Sequence, residues 1–191
     1  KLNEITKVIM NCVEYPKELF EFPELLLGCQ LLLTSDDITL IQNALGFLSL
    51  SIYSTNGLSQ YIIELFPIIF NLTHNNSTVL IQRYFSLLAN IFTDFKQNGN
   101  FILINEIIIN YFENIMNYIL NLDNIYKDEL VFIMILSSFI SSKKYPDIYF
   151  QYTSFLFNLL DDQITPENEY AQSIILLCIY ENCKHSPDDF S

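Results

Sequence analysis

Apolar residues at Leu80, Tyr84, Leu87, Leu88, Ile91 and Phe92 recur every three or four positions through the stretch Ser77 to Asp94, STVLIQRYFSLLANIFTD. This is the period of a helix buried along one broad stripe, and Ser77 or Thr78 can cap its start. The same kind of helix returns four times, at Asn43 to Ile52, Arg83 to Phe92, Val131 to Ile140 and Ser173 to Asn182, so that the steps are 40, 48 and 42 residues. Each copy follows a short polar turn and another apolar helix. The turns keep the same beat, at Ser35-Asp36-Asp37, His74-Asn75-Asn76, Asp123-Asn124 and Asp161-Asp162. A supersecondary unit of this length buries its apolar side only against its neighbours, so the pattern predicts an all-α fold, a right-handed α-solenoid of armadillo or HEAT type.

Taken in order, the chain reads as four to five units at about 1–16 (partial), 17–57, 58–99, 100–145 and 146–191. Ile5, Val8, Ile9, Cys12 and Val13 form one stripe of a first helix that Tyr15-Pro16 ends, because the residue before proline is pushed out of helical geometry. The second unit has a helix from Pro23 to Leu33, a turn at Thr34 to Asp37 and a helix from Ile38 to Ile52. Gly57 suits a left-handed stop, after which Leu58 to Leu65 makes a short helix and Phe66-Pro67 restarts the chain. Three helices per unit, the first one short, favour armadillo over two-helix HEAT repeats. Beyond the linker Lys96 to Asn100, helices are expected at Phe101 to Leu122, Ile125 to Ser142 and Tyr149 to Leu160, with a last start at Thr165-Pro166-Glu167.

Composition adds a few boundaries. Hydrophobic residues make up 51% of the 191 residues and glycine and proline are few, which excludes disorder. The first residue is Lys1, so the chain is expected to be cut from something longer. Its longest apolar run, around Leu130 to Ile140, falls short of the roughly 18 to 20 residues a bilayer needs, and no leader opens the chain, so a soluble protein is expected. The net charge of -13 repels nucleic acid and anionic membranes and favours basic partners.

Candidate chemistry is sparse. Cys12, Cys29, Cys178 and Cys183 form no C-x-x-C pair and read as buried free thiols in a reducing compartment. His74 and His185 are the only histidines, and Cys183 with His185 lacks the two further ligands a zinc site needs. Asn71-Leu72-Thr73 and Asn76-Ser77-Thr78 match the glycosylation sequon, a coincidence expected in so asparagine-rich a sequence. Glycines stand only at 28, 46, 57 and 99, so no phosphate-cradling loop exists. No catalytic residues, metal or cofactor are expected, and the protein reads as a binding module rather than an enzyme.

A solenoid binds along its concave wall. With the four helices aligned, that wall carries Gly46, Ser86, Met134 and Leu176 in one row, Leu50, Asn90, Ser138 and Tyr180 in the next, then Ser54, Asp94, Ser142 and Lys184. The amide of Asn90 can donate to and accept from the backbone of an extended peptide, and Asp94 can pair with a lysine. The expected peptide-binding residues are Asn90, Asp94, Ser86, Ser138 and Tyr180.

These residues carry a resemblance. Ala89-Asn90-Ile91 followed by Asp94 resembles the A/G-N-I-x-x-D helix end of armadillo repeats in the importin-alpha family. Ser142-Lys143-Lys144-Tyr145-Pro146 is similar to that family's R-N-K-N-P joint, and Ile179-Tyr180 falls where the next repeat has S-Y. The resemblance implies a cytoplasmic and nuclear adaptor that holds a basic localisation peptide in its groove for nuclear import, with importin beta as a further partner. Asn90 would grip the peptide backbone, Asp94 a cargo lysine, and Tyr180 would stand on the same row. The family's groove tryptophans are replaced here by Gly46, Ser86, Met134 and Leu176, which removes cation-π contacts worth roughly 0.5 to 2 kcal/mol each. Arg83 opposes basic cargo if it faces inward. The alternative expectation is an armadillo or HEAT scaffold that docks a folded regulatory protein, formin-like or part of a larger transport receptor, through an exposed apolar patch.

Overall fold

A computed structural model describes residues 20–21, 23–72, 77–122, 125–140, 146–162 and 168–184. The described residues form eight α-helices and no strand. They are α1 (Pro23–Leu33), α2 (Ile38–Ser54), α3 (Phe66–Ile69), α4 (Thr78–Gln97), α5 (Phe101–Leu120), α6 (Lys127–Ile140), α7 (Pro146–Asp162) and α8 (Glu169–Lys184), with a 3-10 helix at Ser59–Leu65. The all-α expectation therefore holds. The expected first helix with Cys12, the turns at His74-Asn75-Asn76 and Asp123-Asn124, the joint Ser142 to Tyr145, the start at Thr165-Pro166-Glu167, and His185 with the tail lie outside the described residues.

The protein divides into two compact units, residues 1–115 and 116–191, with the boundary inside α5. In the first, α2 and α4 pack against each other along their lengths, α1 covers α2, and the 3-10 helix lies against α3 and α4. Asp37 caps α2 by accepting the Thr39 N–H at 2.8 Å. Leu45, Leu48, Leu87, Leu88, Ile91 and Phe92 are buried, the last four on the stripe the periodicity marks. Aromatic rings extend this core. Phe20 stacks on Phe47 at 5.8 Å, Phe66 meets Phe95 edge-on at 6.0 Å, and Phe70 stacks on Tyr111 of α5 at 4.8 Å.

In the second unit, α7 packs against α6 and α8, and α6 against α8. The Tyr149 hydroxyl donates to the Asn182 carbonyl at 2.9 Å and Tyr152 lies beside Cys178, so α7 and α8 run antiparallel. Tyr152 is buried. Its hydroxyl donates to the Ile133 carbonyl at 2.9 Å and so accepts from Ser137 at 2.6 Å. Asp161 and Asp162 close α7 rather than forming a turn. The last helix is described from Glu169, and Asn168 caps it by accepting the Ala171 N–H at 3.1 Å. No helix among the described residues is long and apolar enough to cross a membrane.

Candidate functional site

The α2 to α4 contact is lined on one side by polar residues that bond across it. Gln42 Nε2 donates to Ser77 Oγ at 3.0 Å, Arg83 Nη1 to the Gln42 carbonyl at 3.2 Å, and the hydroxyls of Ser49 and Ser86 lie 3.2 Å apart. Further along, Asn90 Nδ2 donates to both the carbonyl and the hydroxyl of Ser49, at 3.0 and 2.9 Å. Beyond the helix end, Asn98 Nδ2 donates to Asn56 Oδ1 at 2.8 Å. Later residues of one helix meet later residues of the other, so α2 and α4 run parallel. Partners along this seam are 35 to 42 residues apart in sequence, close to the 40-residue step read from the hydrophobic pattern.

Asp94, expected to pair with a cargo lysine, is engaged within the fold. It is only 4% exposed, and its carboxylate accepts the backbone N–H groups of Gly57 and Ser59 together with Asn98 Nδ2. A carboxylate so engaged has no open side for a cargo lysine. The sequence held a sign of this, since an acid in the closing turns of a helix opposes the helix dipole and needs donors from elsewhere. Gly57, at φ 80°, bends the loop so that its amide points at Asp94. Asn90 is half-buried, and both Nδ2 hydrogens are committed to Ser49, so it cannot donate to a peptide without releasing α2. Ser86 is likewise half-buried against Ser49.

Arg83 is the residue the row alignment passed over. Its guanidinium lies over Gly46, where any side chain would occupy the space Nη1 takes. The glycine in the row is therefore a seat for an arginine. Of Ser77 and Thr78, either of which could cap the helix, Ser77 stands at the N-cap but makes no side-chain cap bond, and its hydroxyl accepts from Gln42.

In the second unit, Ser138 is exposed and bonds the Ile135 carbonyl of its own helix at 2.7 Å, while Tyr180 is 60% exposed. The sides of α6 and α8 turned away from the buried stripe also carry Val131, Met134, Leu176 and Leu177, all exposed. Two buried groups lie elsewhere in this unit. Glu129 Oε2 accepts the Tyr126 N–H at 2.9 Å at the start of α6, whereas Oε1 has no partner among the described residues. Burial raises the Glu129 carboxyl above its usual range, and burial with the Glu129 charge pushes the Tyr118 hydroxyl up to about 12. Among the described residues no group of His, Cys, Asp and Glu is placed to hold a metal ion. Cys29 and Cys178 are buried, with the Cys29 thiol pushed up to about 12, but Cys183 is exposed, contrary to expectation.

Comparison with protein-family models, curated proteins and solved structures finds no match.

Proposed function

We propose that the protein is a non-enzymatic binding scaffold, a right-handed α-solenoid of armadillo or HEAT type that docks a folded protein partner through the exposed side of α6 and α8. The observation that carries this reading is that Val131 and Met134 on α6 and Leu176, Leu177 and Tyr180 on α8, large apolar side chains on two helices that pack together, are left accessible. Such a patch fits the apolar centre of a protein interface. The net charge of -13 favours a partner whose rim is basic. The parallel α2 and α4, offset by nearly one repeat, support the solenoid.

The nuclear-import reading draws on the A-N-I-x-x-D motif and the acidity. It requires Asn90 and Asp94 to abandon Ser49 and the Gly57 loop, which favours the scaffold. A photo-crosslinking residue in place of Tyr180, with Phe157 of α7 as control, tests the choice. The scaffold reading expects one discrete folded partner captured at 180 and not at 157, with capture abolished by M134E together with L176E. Capture equal at both positions, or indifferent to those substitutions, rejects it. Saturable micromolar binding of a lysine-rich peptide that is lost in N90A/D94A favours the import adaptor.

A further inference from the structure

We infer that Arg83, seated on Gly46, is a receptor for a single carboxylate of a polypeptide partner. The inference rests on the reading of the protein as a binding module and concerns the α2 to α4 seam alone. Arg83 is the only arginine in the protein. Its one polar partner among the described residues is the Gln42 carbonyl, a neutral acceptor reached by Nη1 alone. A guanidinium has five N–H donors in a planar fork; a carboxylate or a phosphate can engage two of them at once, and the net charge of -13 favours the singly charged carboxylate. The missing side chain at position 46 lets the Nη1 end of the guanidinium settle against α2, where it donates to the Gln42 carbonyl. Arg83 is half-buried, and Nη1 is held between Gly46 and the Gln42 carbonyl. That preorganisation distinguishes it from a freely waving surface cation.

The net charge of -13 opposes the approach of an acidic run. The fitting ligand is one carboxylate, either a glutamate or aspartate side chain or the terminal carboxylate of a polypeptide, within an otherwise neutral or basic surface. This also turns the electrostatics of the seam around. The cation on it selects an anion, and the carboxylate expected to select a cation, Asp94, is buried in the loop contact.

Because there is one arginine, the 15N-labelled protein gives one arginine Nε–Hε resonance. Three short lysine-flanked peptides are titrated at constant ionic strength: one with a central glutamate and amidated end, its glutamine twin, and one whose sole carboxylate is at its C-terminus. A saturable shift with either carboxylate peptide, and none with the glutamine twin, is expected; the stronger of the two identifies the source. G46A, which displaces the guanidinium, should abolish saturation with the helical circular dichroism spectrum unchanged. R83K, read by anisotropy of a labelled peptide, should weaken binding about tenfold, since an ammonium lacks the fork. Equal shifts with the glutamine twin, or tighter displacement by inorganic phosphate than by carboxylate, would overturn the inference. Crosslinking at position 180 is read separately, so a negative result at Arg83 does not count against the docking face.

Discussion

The carboxylate of Asp94 accepts the backbone N–H of Gly57, a loop residue one repeat earlier in the sequence, and its other oxygen accepts that of Ser59. One side chain of α4 thereby holds the loop that leaves α2. Replacing it with alanine strands two amides and removes charge-assisted bonds, so D94A is expected to cost about 3 kcal/mol in chemical denaturation. D94N keeps one acceptor but sets an amide donor against an N–H, and is expected to cost about 2 kcal/mol. A change in peptide affinity with stability unaltered would return Asp94 to the role of ligand.

Asn90 and Ser49 form the second tie. N90A is expected to lower stability by about 1 kcal/mol, and S49A to lose most of its own effect when combined with it. Additive losses in a double-mutant cycle would show that the two side chains do not act together.

The hydrophobic period makes the helices legible, because burial on one stripe leaves a three-to-four spacing that survives any sequence drift. Phe101–Leu120 and Pro23–Leu33 fall within two residues of where the pattern puts them. Facing is harder to read. A polar residue in a helix is written the same way whether it meets solvent or bonds a neighbouring helix. The sequence pattern therefore marks Asn90 and Asp94 as unusual but assigns them to a partner instead of to Ser49 and the Gly57 loop. The seat of Arg83 depends on position 46 lying beneath it, a relation between two repeats that spacing within one repeat does not contain.

Gly46 offers a test in which two effects oppose. Alanine should stabilise α2 by up to about 1 kcal/mol, but it moves the flexible end of Arg83 and breaks its bond to Gln42, worth a similar amount. G46A alone is expected to change stability by less than about 1 kcal/mol, whereas G46A in an R83A background should stabilise by about 1 kcal/mol. Equal effects in both backgrounds would show that the arginine does not rest there.

Glu129 gives a pH signature of definite sign. Its carboxyl is raised in the folded protein above the usual 4.5, so the neutral form is favoured by folding. The contribution is fully present below pH 4.5 and is lost as pH rises through the folded value. E129Q keeps an acceptor for the Tyr126 N–H and carries no charge. It is expected to stabilise the protein at pH 7 by about 1 kcal/mol and to flatten this part of the stability profile. Greater stabilisation at acid pH than at pH 7 would show that Glu129 is ionised favourably in the fold.

Thiol access separates the cysteines. Cys183 is expected to react with a thiol reagent in the native state, while Cys29 and Cys178 wait for unfolding. Native reactivity of Cys178 would place an opening in the core beside Tyr152.

Amide hydrogen exchange at Gly57 and Ser59 tests most directly that residues marked by the sequence as grips for a partner instead tie α4 to α2 and the loop that leaves it. Both amides should be protected in the wild-type protein and exchange at open-loop rates in D94A, with α6 unaffected. Exchange of both amides at open-loop rates in the wild-type protein would contradict it.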